Sequence, residues 1–347
     1  MIHVSVGNTF TPDLLTGLTD LSKPNFTIEE LFGSVKNLTP TARSADRIPY
    51  LDLISLENFV IEAKRRGMLI AWTLNANCVG NLESFSRIWE EEYLPIINKI
   101  REVGVRRFII SHPLIMKLMR SNFPDDYLEV STIAEVDTPM KVHFWHDIGA
   151  SAICGKHAYN RQIGVLFPIV RETKKLNMPY RFIVNELCLL HCPYRTACYL
   201  ASSHNSNRSS FGGWPFSECS HIREEHPEQW LSSPFILPQW LPNYEKMFGP
   251  DLYIKIVGRT ATTEEVLFAV KAYSEGNYSG NLLDLWPGIN RLCGKDKPLV
   301  NIPCSIICSS DFFKPFLVKD CGGSVCGSDC RHCLSIMDYV KYKESNI

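Results

Sequence analysis

Eight short segments rich in Val, Ile, Leu and aromatic residues recur along the chain, and amphipathic helical patterns lie between most of them. The segments are residues 2–6, 29–33, 69–74, 107–111, 127–131, 151–155, 181–184 and 252–257. Strands that alternate with helices form a parallel sheet, and eight such units can close it into a barrel. We therefore predict a (β/α)8 TIM-type barrel, with an open doubly wound sheet as the alternative.

Four stretches between these segments carry clear helix signals, namely residues 55–67, 83–104, 161–177 and 262–276. The first ends in basic residues and a glycine, which is a typical helix stop. The second is interrupted at Pro95, and Thr262 or Thr263 can cap the last ahead of two glutamates. These patterns supply the helical half of the repeat.

Two segments do not fit the repeat. Residues 185–250, called the insertion below, follow the seventh strand and contain turn-rich stretches, and residues 287–347, called the tail, are rich in cysteine. Long stretches without regular structure in a compact domain are usually functional. We predict one barrel domain over residues 1–286, including the insertion, followed by the cysteine-rich tail.

Composition excludes several classes of protein. The chain has 36 basic and 37 acidic residues, so it lacks the charge of a general nucleic-acid binder. No apolar run approaches the roughly 18 residues that a membrane span needs, and the N-terminus lacks the pattern of a signal peptide. We therefore expect a cytoplasmic protein without membrane association, in which thiols stay reduced.

Thirteen cysteines are present, and in a reducing compartment clustered cysteines more often bind metal or react than form disulfides. An isolated one such as Cys293 is expected to be a small packing residue. Four cluster in the insertion: Cys188, Cys192, Cys198 and Cys219. They leave the carboxyl end of strand seven, which is the face where barrel enzymes place their chemistry.

The spacing of the four insertion cysteines lacks the paired C-x2-C knuckles that tetrahedral zinc prefers. It suits the four thiolates of an iron–sulfur cluster, so we predict a [4Fe–4S] cofactor. The alternative is that Cys198 is a packing residue and that Cys188 and Cys192 are free thiols.

Other cysteines are lower-ranked candidate ligands. Cys78 follows strand three on the same face of the barrel, and the tail contains Cys321, Cys326, Cys330 and Cys333. The four tail cysteines could hold a zinc ion or a second cluster, or lend one ligand to the first. The alternative is a set of reduced thiols at a poorly ordered terminus.

Polar residues end several predicted strands and provide candidate substrate contacts. Asn75, His112, Asn185 and Arg259 occupy these positions, Arg161 follows strand six, and Arg195 lies beside the cysteines. Guanidinium groups bind carboxylates through two parallel hydrogen bonds, so three arginines at one mouth suit a small anionic substrate or co-substrate. Alternatively, the arginines form ion pairs with neighbours such as Glu186 and organise loops.

Motifs of the common hydrolases and nucleotide-binding proteins are absent from the sequence. No G-x-S-x-G, P-loop or G-x-G-x-x-G occurs, and "HIREEH" (221–226) matches neither H-E-x-x-H nor H-x-x-E-H. We interpret the latter as a solvated charged stretch.

The insertion and the strands around it resemble the U-32 peptidase family, also called collagenase-like peptidases. The resemblance rests on "FIVNELCLLHCPYR" (182–195), "PFILPQWLPNYEKMFGPDLYIKIVGRT" (234–260), "AVKAYSEGNYSGNL" (269–282), "LNANCVGN" (74–81) and "YNR" (159–161). It covers roughly residues 1 to 285 and implies a (β/α)8 barrel with a cysteine-bound [4Fe–4S] cluster. Some members are called proteases, and others hydroxylate a quinone precursor or RNA bases without oxygen, with prephenate linked to the chemistry.

The resemblance also bears on the ligands. Cys188 corresponds to the first cluster cysteine and Cys219 to another, whereas the spacing of Cys192 and Cys198 departs from that of the hydroxylases. Cys78 or a tail cysteine is therefore an alternative to Cys198. The resulting prediction is an iron–sulfur enzyme performing redox chemistry or oxygen-independent hydroxylation on a small or tethered substrate. The alternatives are a peptidase and a non-catalytic partner subunit with a structural cluster.

Overall fold

The computed structural model describes residues 1–38, 41–82, 86–204, 214–289, 300–309 and 311–344. Eight parallel strands form a closed barrel in chain order, with β1 paired to both β2 and β8. The strands are β1 (Ile2–Gly7), β2 (Phe26–Gly33), β3 (Leu69–Leu74), β4 (Arg107–Ile110), β5 (Tyr127–Val130), β6 (Ala152–Cys154), β7 (Tyr180–Ile183) and β8 (Leu252–Ile256). The (β/α)8 prediction is confirmed, and each of the eight predicted segments is a strand.

Helices surround the barrel and fill the connections between strands. They are α1 (Pro12–Leu21), α2 (Leu53–Arg65), α3 (Leu94–Glu102), α4 (Pro113–Asn122), α5 (Pro139–Asp147), α6 (Ile163–Lys175), α7 (Arg195–His204), α8 (Trp214–Glu225), α9 (Gln229–Ser232), α10 (Leu241–Phe248), α11 (Thr263–Glu275), α12 (Cys304–Ser309) and α13 (His332–Glu344). Among the described helices, none is both long and apolar enough to cross a membrane.

Helix boundaries follow local sequence signals. Thr262 is the N-cap of α11, where its side chain accepts from Glu265 N and the Glu265 carboxylate accepts from Thr262 N in a reciprocal capping box. Gly276 ends the helix in the left-handed conformation that glycine adopts without a steric penalty. The expected interruption at Pro95 is a change of helix type, because a π-helical turn over Trp89–Tyr93 continues directly into α3.

The barrel interior contains a buried network of charged side chains. Glu129 forms ion pairs with both Arg181 Nε and Lys255 Nζ at 2.7 Å, and Glu30 forms one with Arg107 Nε at 2.9 Å. Arg181 also lies 3.7 Å from Glu30, which joins the two groups. Burial of Glu30 by itself would raise the pKa of its carboxyl group. The charges of Arg181, Arg107 and Lys255 outweigh this effect and hold that pKa below its usual value.

The insertion is more regular than its turn-rich sequence suggests. It carries α7, α8 and α9, and it also includes α10, the helix that leads into β8. Residues 205–213 of the insertion lie outside the described residues, as does Cys293 of the tail.

The described part of the tail packs on the barrel instead of extending from it. Phe312, Phe313 and Phe316 stack around Trp240 and Phe235, which belong to the main hydrophobic core. Met337 and Val340 of α13 are fully buried in the same core. The described tail is therefore an integral layer of the fold.

Candidate functional site

Three insertion thiols lie close together beside the carboxyl end of β7. Cys192 precedes α7, Cys198 lies on α7 and Cys219 lies on α8, and all three are half-buried and unpaired. Burial raises the pKa of Cys198 to about 11, with contributions from the neighbouring thiols Cys219 and Cys192 and against the effect of Arg43. Two insertion helices thus bring together cysteines that are up to 27 positions apart in the sequence.

Two guanidinium groups link Cys188 to these three thiols. Burial and the Glu186 carboxylate raise the pKa of Cys188, whereas Arg195 and Arg223 lower it. Arg195 also lies near Cys198, and Arg223 also lies near Cys219. Cys188 therefore shares Arg195 with Cys198 and Arg223 with Cys219, and these two positive charges suit a ligand set that becomes anionic when it binds metal.

Arg223 is held rigidly in this position. It is only 4% exposed, Nη2 donates to Leu187 O, and the guanidinium lies 4.2 Å from the centroid of the Trp230 ring. Our interpretation of "HIREEH" as a solvated stretch is therefore wrong for Arg223. It holds for His221, which pairs with Glu225 on the exposed side of the helix.

A second group of potential ligands consists of His157, Glu186 and Cys188, whose ligand atoms lie within 4.8 Å of one another. Arg195 donates to His157 Nε2, so the ring proton is assigned to Nδ1, which donates to Thr132 Oγ1 at 3.1 Å. Burial and Arg195 lower the pKa of His157 to about 3. The imidazole is therefore neutral and already hydrogen-bonded at both nitrogens.

This electrostatic state is the reverse of what a nucleophilic cysteine requires. A Cys–His pair is activated when the thiol pKa is lowered and the imidazole carries a proton. Here the pKa of Cys188 is raised and that of His157 is lowered. Glu186 accepts from Cys188 N at 2.9 Å and so shapes the loop. The group resembles a protease triad in composition but not in charge.

Arg259 lies at the end of β8 and Arg43 lies in the connection after β2. Arg259 Nη1 donates to Thr73 Oγ1 at 2.6 Å, and both arginines are half-buried. Burial and Arg43 hold the pKa of Arg259 well below its usual value. Neither guanidinium forms an ion pair with any described carboxylate. Arg43 also lies near Cys198, so this pair of positive charges adjoins the insertion thiols.

The other two candidate arginines have different surroundings. Arg195 Nη2 donates to Leu189 O at 3.0 Å and Nε lies 3.7 Å from Glu135, so it organises the cysteine loop. Arg161 is 3% exposed and Nη2 donates to the carbonyls of Leu231 and Ser232, away from Arg259. The three arginines therefore occupy three environments instead of one.

Asn185 is fully committed to backbone contacts. Its side chain donates to Val257 O and Leu285 O at 3.0 Å and accepts from Val257 N at 2.8 Å. It joins the ends of β7 and β8 to the segment that leads into the tail. Asn75 accepts from Thr41 and Ala42.

His112 caps α4, because its Nδ1 accepts from Leu114 N at 3.3 Å. Cys78 lies half-buried in the loop after β3. A hydrogen bond from Asn77 N to Ser203 Oγ holds this loop against α7, so Cys78 is on the same side of the barrel as Cys198.

Comparison with known proteins gives the chain a family. Residues 50–276, about two thirds of the sequence, match the model of peptidase family U32. The chain belongs to this family. It is 28% identical over 231 residues to an uncharacterized protease of Methanocaldococcus jannaschii, covering 64% of this chain and 65% of that protein. The chain thus spans less than two thirds of that relative.

A solved U32 peptidase shares the fold of this family member. Its structure superposes with a TM-score of 0.54 at 15% identity, covering 74% of this chain and 92% of the other. At this level of identity the likeness concerns the fold alone.

Sequence reasoning missed three residues of the site, Arg43, His157 and Arg223. Arg223 had a usable signal, because it lies four positions after Cys219 on one helix and therefore on the same face. Arg43 and His157 gave no such signal, since each reaches the site through contacts between distant loops.

Proposed function

We propose that this U32 family member is an iron–sulfur enzyme that performs redox chemistry or oxygen-independent hydroxylation on a small or tethered substrate. The observation that supports this proposal is that the free thiols of Cys192, Cys198 and Cys219 neighbour one another, with Cys188 next to the same two arginines, in the insertion that follows β7. Thiolates are the ligands on which iron–sulfur clusters are built, and this face is where barrel enzymes act.

The surroundings of the insertion thiols fit such a group. Four thiolates and a cluster carry net negative charge, and Arg195 and Arg223 lie beside the thiols to compensate it. Burial keeps the free thiols protonated, so loading the site would release protons. Cys188, Cys192, Cys198 and Cys219 would hold the cluster, which would supply electrons when bound.

Arg43 and Arg259 support an anionic substrate or co-substrate. Two adjacent guanidinium groups without a carboxylate partner among the described residues are costly to bury, and an anion would relieve that cost. Because Arg43 also lies near Cys198, the anion would lie next to the thiols. A dicarboxylate such as prephenate has the charge to engage both arginines.

The peptidase alternative is supported by the names of the family and of one relative. The family and the M. jannaschii relative carry a protease name. The one Cys–His–Glu group found among the described residues has the wrong charge state for a thiolate nucleophile. This charge state argues against a cysteine peptidase at this group, and we propose that the redox chemistry operates in the reducing cytoplasm.

Metal analysis of anaerobically purified protein tests the cofactor. We expect a brown protein with a broad absorption band at about 400 nm. Cys188→Ser and Cys198→Ser should each remove about four irons per chain relative to wild type, because a hydroxyl replaces thiolate poorly on iron. Cys308→Ser is the matched control, since Cys308 is exposed on α12. Unchanged iron in both insertion variants would refute the proposed ligand set.

Catalysis is tested separately from cofactor binding. We expect reduced, iron-loaded protein to bind prephenate and to perturb the cluster spectrum as it does so. A protein that carries the cluster but neither binds nor consumes prephenate or related dicarboxylates would instead favour the partner-subunit alternative.

A further inference from the structure

The tail contains a second set of cysteines that the proposed function does not use. Cys321, Cys326, Cys330 and Cys333 all line one pocket, between the loop that precedes α13 and the region around α9. These thiols lie close enough together to change one another's pKa values. Four thiols on one pocket wall are the usual content of a metal site.

Two hydrogen-bond donors are directed at one of the tail sulfurs. Lys319 Nζ donates to Cys330 Sγ at 3.2 Å. The backbone N–H of His332 also donates to the Cys330 sulfur. Hydrogen bonds from backbone N–H groups to sulfur are typical of protein iron–sulfur sites, where they tune the cluster.

Arg161 supplies a second, independent sign that a negative charge belongs here. It is buried among the rings of Phe235 and Phe316, at 4.6 and 4.3 Å. Its Nη1 lacks a hydrogen-bond partner, and no described carboxylate pairs with it. The groups beside it that could become negatively charged are Cys333, Cys321 and the phenol of Tyr244, whose hydroxyl donates to Asn160 O. A buried unpaired guanidinium is strongly unfavourable, and metal-bound thiolates would neutralise it.

His332 is excluded as a fifth ligand through Nε2. That atom donates to Phe312 O at 2.9 Å, and the ring stacks on Phe312 with centroids 5.0 Å apart. The histidine therefore anchors the start of α13 to the core, next to Cys330 and Cys333. This contact fixes the position of the backbone that carries the two cysteines.

The tail sulfurs are not drawn together as they would be around one zinc ion. Around a zinc ion with Zn–S bonds of about 2.3 Å, neighbouring sulfurs lie roughly 3.8 Å apart. Among the described residues, the only three potential ligand atoms that all lie within 4.8 Å of one another are those of His157, Glu186 and Cys188. No three tail sulfurs are therefore that close together, and we assign the larger of the two centres that four thiolates can hold.

We propose that Cys321, Cys326, Cys330 and Cys333 bind a second iron–sulfur cluster, whose negative charge is balanced by Arg161. The pocket is also lined by Leu190, which lies between Cys188 and Cys192 in the sequence. The two clusters would thus lie on either side of one short loop. The tail site does not depend on the proposed function, because it uses different residues.

Iron and acid-labile sulfide counts test the proposal on the full chain. Wild type should hold about eight irons, and Cys326→Ser/Cys330→Ser should keep about four. Cys192→Ser/Cys198→Ser should lose the other half, and Cys308→Ser should lose none. Full iron in the tail variant refutes the second cluster, whereas full iron in the insertion variant refutes the first. Loss of one zinc, with no loss of iron, from the tail variant also refutes the second cluster.

Protection of thiols in the wild-type protein provides a test without substitution. In native, iron-loaded protein the four tail thiols should resist alkylation, and they should all react after iron is removed by a chelator and an oxidant. Equal alkylation before and after removal would overturn the proposal. This readout does not depend on the folding of any variant.

The role of Arg161 is tested through the reduction potential of the tail cluster in the Cys192→Ser/Cys198→Ser background. Arg161→Met should shift the potential to more negative values, because a nearby positive charge favours the reduced cluster. Arg161→Lys should restore most of the wild-type potential. A merely structural role would affect stability in both variants and leave the potential unchanged, which would refute the charge pairing.

Discussion

Arg259 gives the sharpest test of the anion site, because its loss should affect binding and stability differently. We consider Arg259→Met, which keeps an unbranched stem and removes the charged fork. In the folded protein Arg259 contributes one hydrogen bond, to Thr73, which is worth about 1 kcal/mol. Burial and Arg43 already disfavour its charge. Losing that repulsion should offset the lost bond, so the free energy of unfolding should change by less than about 1 kcal/mol.

Anion binding should respond much more strongly. Removing one partner of a buried charge pair costs roughly 2 to 5 kcal/mol, which weakens binding between about 30-fold and several thousand-fold. Calorimetric titration of prephenate into anaerobic protein measures this change, and urea denaturation and iron content are measured on the same preparation. Arg259→Lys should recover little affinity, because lysine lacks the planar fork.

A surface arginine provides the matched control. Arg65 on α2 is largely exposed, so Arg65→Met should leave affinity, iron and stability unchanged. If Arg259→Met lost several kcal/mol of stability and bound prephenate normally, the arginine would be structural and the anion site would be wrong. Loss of iron together with binding would instead mean that Arg259 supports the cluster loop.

Three further predictions concern the scaffold. Glu129→Gln should lower the free energy of unfolding by about 3 to 5 kcal/mol, because Arg181 and Lys255 lose their shared buried carboxylate; urea denaturation would contradict this if the midpoint did not move. The folded protein should bind fewer protons than the unfolded chain between pH 6.5 and about 3, because the pKa of His157 is lowered. Unfolding free energy should therefore fall by roughly 5 kcal/mol at most as pH drops through that window, and pH-dependent denaturation of His157→Gln should lack this contribution. Thr262→Ala should cost about 1 kcal/mol in thermal unfolding through loss of the α11 cap, and an unchanged melting temperature in this variant would contradict the assigned cap.

The sequence was sufficient to predict the barrel because its signals are local. Each strand is a short apolar run, and the helix signals are short as well, such as the capping threonine and closing glycine of α11. The insertion helices were missed because α8, with the sequence WPFSECSHIREE, has no continuous apolar face. Tertiary contacts of single residues such as Arg223 hold it against the barrel instead.

The candidate site was predicted only in part, for a physical reason. Position at a strand end indicates which face a residue occupies, and on that basis Cys188 and Arg259 were assigned to the mouth. It does not indicate which partner a long side chain reaches. Arg161 could extend toward the mouth or back toward the tail, and the aromatic pocket that receives it is formed by residues over 70 positions away.

The charged network inside the barrel also bears on how such a barrel can be assembled from pieces. Glu29 joins this network at its partly exposed edge, 3.0 Å from Arg181. With it, three members lie on the first four strands and three on the last four: Glu29, Glu30 and Arg107, against Glu129, Arg181 and Lys255. The first half thus contributes one excess negative charge and the second one excess positive charge. Two copies of either half would bring like charges together, whereas one of each compensates them. Separately expressed halves should therefore pair with each other and not with themselves, and this barrel is not one that a simple duplication of a present-day half could rebuild.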